Sequence, residues 1–158
     1  MIIEHILTPE RTACNVATSS KKRTFEFIAD RLGQSQPASP CINADNLLEH
    51  LNARERLGST GIGKGIAIPH CRCSDITETI GLLIKLKKPV DFDAPDDQPV
   101  DILFVMVVPQ DANDQHLQIL SSLAELFHQA EFRNQLRKAQ TNDELYMAAV
   151  NYEKSTQK

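Results

Sequence analysis

The chain has 158 residues, 41% of them hydrophobic and 24% charged, with a formal net charge of −4. That length favours a single domain over residues 1–158 and suffices to bury a core without disulfide or metal staples. The weakly acidic balance lacks the basic excess of a nucleic-acid binder, and the longest apolar run, residues 102–108, is far short of the roughly 20 residues a membrane span needs, so neither nucleic acid nor membrane insertion is expected.

The N-terminal stretch MIIEHILTPE has no basic leader, its apolar run is broken by Glu4 and His5, and no small-residue cleavage site follows. The protein is therefore read as cytoplasmic. Cys14, Cys41, Cys71 and Cys73 are expected to be reduced thiols in that compartment. Residues 21–32 read as an amphipathic helix with Phe25, Ile28 and Leu32 on one face, a cap from Ser19 or Ser20, and Gly33 as its stop. A polar loop follows over residues 34–40. Asn43 or Asp45 caps a second helix whose apolar face is Leu47, Leu48 and Leu51, running out near Leu57 and Gly58. Residues 58–65 form a loop with four of the chain's six glycines. Residues 66–68 are a short strand stopped by Pro69, with His70 after it. Residues 80–86 are a strand, 87–99 a turn-rich connector, and 100–108 a strand apolar enough to be buried on both faces. Beyond Pro109 the pattern is helical. One helix starts near Asp114 and carries Leu117, Leu120, Leu123, Ala124 and Phe127. A short one covers residues 132–138, and Thr141 with Glu144 forms a capping box opening a last helix through Val150. The tail from Asn151 is polar and expected to fray. Helices on both sides of strands indicate an α/β layered domain.

Glycines this dense let backbone adopt positive φ and approach a ligand closely, and their N–H groups can form an anion-binding nest; a tight helix-to-strand turn is the structural alternative. GSTGIGK at 58–64 fits the first seven positions of a Walker loop, but the eighth is Gly65 where a hydroxyl should bind magnesium. The context is also reversed, since this loop follows a helix and opens a strand. Gly61, Gly63 and Gly65 miss the dinucleotide spacing. Cys71 and Cys73 enclose one residue where paired zinc ligands normally enclose two to four, and no second pair follows. They read better as buried small side chains. His70 remains, as a structural histidine or as a nucleophile whose neutral imidazole attacks near pH 7. Phosphoryl transfer asks mainly for positioning, N–H donors and positive charge around the transferred oxygens.

The run GSTGIGKGIAIPH at 58–70 resembles the signature of the IIA components of the bacterial phosphotransferase system, in the mannitol/fructose class and within it the nitrogen-regulatory type (IIA-Ntr). Segments SKK at 20–22, RERLGST at 54–60, FDA at 92–94, DDQPVDILF at 96–104, HL at 116–117 and DELY at 143–146 agree with it, so the resemblance covers about residues 5–150. It implies a mixed β-sheet sandwiched between α-helices, the mannitol-class IIA fold. His70 matches the phosphorylated histidine, which accepts phosphate from a small HPr-like phosphocarrier through a phosphohistidine intermediate. Arg54 matches the arginine beside it, and His116 the second active-site histidine. Gly61, Gly63, Lys64 and Gly65 stand as the phosphate-binding loop. No metal and no cofactor are implied. Lys64 departs from the commonest sugar-type pattern and adds positive charge. Cys71 and Cys73 replace residues usually small or polar, which raises redox sensitivity of the site as a hypothesis. The length leaves no room for fused IIB or IIC units, so the resemblance implies a phosphocarrier whose phosphorylation state regulates target proteins. The alternative is a sugar-specific IIA subunit passing phosphate to a separate IIB protein.

Overall fold

The computed structural model describes residues 2–34, 43–74 and 76–156; the loop expected over residues 34–40 lies outside them from residue 35 on, as does Cys41. Its centre is the strand β6, Val100–Pro109, in which every residue but Asp101 is buried. Alternation along β6 separates the protein into two layers. Leu103, Val105 and Val107 face a core completed by Phe25, Ile28 and Leu32 of α2 (Lys21–Gln34) and Leu47 and Leu51 of α3 (Ala44–Arg56). Ile102, Phe104, Met106 and Val108 face the opposite core, filled by α1 (Ile2–Ile6), α4 (Asp114–His128), α5 (Ala130–Lys138) and α6 (Asn142–Thr156). The result is a six-stranded mixed sheet between two helical layers.

Strand β5 (Ile80–Val90) pairs antiparallel with β6 on one side and parallel with β1 (Thr12–Val16) on the other. Across β6 lie β3 (Ile66–Ala67) and β4 (His70–Cys73), both parallel to it, and β2 (Gly61–Gly63) closes a hairpin with β3. Strands β3 and β4 keep the same offset to β6: Ile66 pairs with Ile102 and His70 with Met106. They are one line of chain interrupted at Ile68 and Pro69. Proline has no N–H to donate to the ladder, which accounts for the break. His70 thus opens the resumed strand; the expectation that the strand simply stopped at Pro69 is corrected.

Several boundaries differ from the sequence reading. β5 continues through Lys87, Lys88 and Pro89, which are exposed, and pairing resumes at Val90 opposite Val100. The connector is therefore the arm and turn of a β5–β6 hairpin. The tail from Asn151 does not fray: α6 runs to Thr156, and buried Glu153 accepts from the N–H groups of Ile2 at 3.0 Å and Ile3 at 2.9 Å. α2 passes Gly33 to reach Gln34. Asn43 is the cap of α3, accepting from Asp45 and Asn46 N–H groups, and Asn113 caps α4, accepting from the Gln115 N–H. Thr141 Oγ1 accepts from the Glu144 N–H at 3.1 Å at the start of α6.

Candidate functional site

The Pro69 break leaves the Ile68 carbonyl 2.9 Å from Nδ1 of His70. A carbonyl only accepts, so this contact places the ring proton on Nδ1 and leaves the lone pair on Nε2. The Nε–H of Arg54 points at that nitrogen from 3.3 Å, and Arg54 Nη1 donates to the Gly58 carbonyl at 2.9 Å. Burial holds the His70 pKa below its usual value of 6.5, and the Arg54 charge pushes the same way; the bond to Ile68 and the charge of Glu55 act in the opposite sense. The net effect favours neutral imidazole at neutral pH, which is the nucleophilic form.

A cavity of about 610 Å³ opens above His70. It sits at the free edge of β4, where the last two turns of α3 meet the first turns of α4. Arg54, His70 and His116 all line it. His116 lies in the first turn of α4, its Nδ1 3.4 Å from the Asn113 carbonyl. The amino end of this 15-residue helix adds the positive end of its dipole to the cavity. His50 and Arg72 also line it. His50 Nδ1 is 3.1 Å from the Arg72 carbonyl, and Arg72 Nη1 donates to the Gln110 and Ala112 carbonyls at 2.9 Å each. Cationic and imidazole groups thus ring one histidine whose nucleophilic nitrogen is aimed at Arg54. The rim is apolar: Leu57 and Leu117, 85% and 65% exposed, flank the opening.

The glycine-rich segment is placed differently. Residues 61–67 form the β2–β3 hairpin, and Lys64 and Gly65 line a separate depression with Asp96, Asp101 and Arg137. None of Gly61, Gly63, Lys64 and Gly65 lines the His70 cavity. The Lys64 N–H donates to the Asp96 carboxylate at 2.9 Å, which with the Gln98 N–H holds that carboxyl below its usual pKa. The anion on this turn is the protein's own. Gly65 sits at φ +82°, which favours glycine, and a Cβ there would stand 2.6 Å from Arg137 Nη2 and 2.7 Å from Asp101 Oδ1 and so press on their ion pair. The four residues of the expected phosphate-binding loop thus lie on a hairpin outside the His70 cavity. Cys71 and Cys73 alternate with His70 and Arg72 along β4 and are buried in the α2–α3 core. Burial, with the adjacent Cys73 sulfur, pushes the Cys71 thiol up to about 12, which keeps it unreactive. That speaks against redox sensitivity of the site. Among the described residues, no three His, Cys, Asp or Glu side chains converge as metal ligands.

Residues 5–151 match the model of the family described as phosphoenolpyruvate-dependent sugar phosphotransferase system, EIIA 2. The chain belongs to this family. It is 46% identical over 148 residues to the nitrogen regulatory protein of Pseudomonas aeruginosa, covering 94% of each chain. The crystal structure of nitrogen regulatory protein IIA-Ntr from Neisseria meningitidis superposes with a TM-score of 0.86 at 36% identity, over 94% of this chain and 99% of that one. IIA mannitol from Escherichia coli shares the fold, with a TM-score of 0.73 at 18% identity over 90% and 98% of the two chains. Sequence reasoning missed two residues that line this cavity, His50 and Arg72. The signal was present: His50, Arg54 and Leu57 are spaced four and three apart on one helix face, and Arg72 shares a strand face with His70.

Proposed function

We propose that this EIIA 2 chain is a phosphocarrier of the nitrogen-regulatory type, in which Nε2 of His70 takes a phosphoryl group from a phosphohistidine on an HPr-like protein. The observation that carries the reading is the orientation of one ring, with Nδ1 tied to the Ile68 carbonyl and Nε2 facing Arg54. The Nε2 lone pair attacks phosphorus and a new N–P bond forms. The donor's N–P bond breaks and its electron pair returns to the donor imidazole. The His70 ring keeps its Nδ1 proton, and the Ile68 carbonyl stabilises the positive charge that develops on it.

Arg54 serves both states. In the free protein its Nε–H donates to Nε2; once that nitrogen is bonded to phosphorus, the same guanidinium can donate to the phosphoryl oxygens, which its planar, permanent charge suits. His116 can supply a further donor, and the amino end of α4 adds the positive end of its dipole. The exposed Leu57 and Leu117 support a protein donor, because apolar side chains beside a charged centre suit a docked surface that excludes water. Phosphorylation adds about −1.5 to −2 charges to this surface, which is how it can select or release a target.

The test is incubation with a phosphoenolpyruvate-driven donor system and an HPr-like carrier, read by mass. The wild-type protein is expected to gain one phosphate and His70→Ala none. A gain that persists in His70→Ala, or no gain in wild type, contradicts the reading.

A further inference from the structure

We propose that Glu55 is a positioning residue for phosphoryl acceptance: its buried carboxylate, shared by Lys21 and Thr60, fixes the end of α3 so that Arg54 stays on His70. The inference rests on the phosphocarrier reading for its consequence and on geometry for its substance.

Glu55 follows Arg54 in the chain, but its side chain turns inward and is 7% exposed. Lys21 Nζ lies 2.7 Å from Oε1. The Thr60 N–H donates to Oε1 at 3.0 Å and the Thr60 hydroxyl to Oε2 at 2.7 Å. Lys21 also donates to the Phe92 carbonyl at 3.3 Å, and the Ser59 hydroxyl donates to that same carbonyl at 2.8 Å. One carboxylate thereby joins the first residue of α2, the last turn of α3, the entry to β2 and the turn after β5.

The chain between Glu55 and Thr60 is clamped at both ends. Within it, the Leu57 N–H donates to the Arg54 carbonyl and the Gly58 N–H to the Glu55 carbonyl, each at 3.1 Å. The Gly58 carbonyl held in this way is the acceptor for Arg54 Nη1. Arg54 is thus gripped at Nη1 by a fixed carbonyl and aimed through Nε at His70. Loss of the Glu55 clamp loosens the carbonyl that holds the arginine. A buried ion pair is by itself weak evidence of stabilisation. Its place here, between the arginine and the hairpin that leads to His70, gives it a positional role.

A double-mutant cycle tests this, using the rate at which phosphate is accepted from the phosphorylated carrier and circular dichroism to confirm folding. Glu55→Gln and Thr60→Val are each expected to slow acceptance, Glu55→Gln by about tenfold or more. In an Arg54→Ala background neither is expected to slow it further by more than about twofold, because their effect passes through Arg54. Equal losses in both backgrounds, or wild-type rates in both variants, overturn the proposal. Thr60→Val keeps the charge pair and carries the test if Glu55→Gln does not fold. A second readout needs no donor: hydrogen exchange of the Arg54 Nε–H, followed by ¹⁵N NMR, should be faster in the clamp variant than in wild type. Unchanged exchange overturns the inference even if wild type accepts no phosphate, and faster exchange supports it in that same case.

Discussion

The run from Gly58 to His70 is continuous in sequence, yet its two ends do different work. At the Gly61–Gly65 end the backbone turns through positive φ, and its N–H and carbonyl groups are taken up by Asp96, Asp101 and Arg137. At the His70 end the ladder breaks at Pro69, and the Ile68 carbonyl is turned onto an imidazole. A glycine-rich loop beside a histidine invites the idea that both serve one ligand. The contrast teaches that the glycines place the strand and the proline places the histidine. Arg54, from a different helix, completes the chemistry.

Four substitutions or measurements sharpen that division. The largest effect is expected from Arg54→Ala, which should slow phosphate acceptance about 10²-fold by removing a preorganised donor, measured as single-turnover transfer. Its unfolding midpoint in urea should move little. Next is Gly65→Ala at the other end: positive φ and two contacts under 3.0 Å should cost about 2–3 kcal/mol of stability, while the folded fraction still accepts phosphate at the wild-type rate. A slow, stable Gly65→Ala would return the hairpin to the site.

Acidity probes the His70 end alone. Because the folded pKa of His70 lies below 6.5, acceptance should persist somewhat below pH 6.5 and then fall as the ring protonates. The sign for stability follows from linkage: the unfolded ring binds a proton first, so the stability held in neutral His70 is present above the unfolded pKa of about 6.5 and is lost as pH drops from there through the folded value. A rate midpoint at or above pH 6.5 contradicts this. The smallest effect is expected from Lys64→Gln, whose side chain borders the other depression: the acceptance rate should stay within about twofold and stability within about 0.5 kcal/mol. A tenfold slower rate would place Lys64 with His70.

Much of this was legible in the chain. The 102–108 run announced the central strand because it is covered on both faces. Asn43 announced α3 because a side-chain acceptor must meet the first free N–H groups. What was not legible depended on distant partners. The helix Ile2–Ile6 is held by Glu153, and the same contact keeps α6 helical past Asn151. Strand β1 is five residues long and includes Asn15 at φ 56°, so it carries no clean alternation. His50 and Arg72 carry a local signal in their spacing from Arg54 and His70, but only the packing of α3 against β4 shows that those two faces meet over one cavity. The sequence of the glycine hairpin leaves an anion nest and a tight turn equally open, because it shows the missing side chains and not the Asp96 carboxylate that the Lys64 N–H meets.

The most direct test of the account is ¹⁵N NMR of the phosphorylated, histidine-labelled protein. The account predicts a phosphoryl group on Nε2 of His70, with the proton retained on Nδ1. Phosphate on Nδ1 of His70, on His50 or on His116 would contradict it.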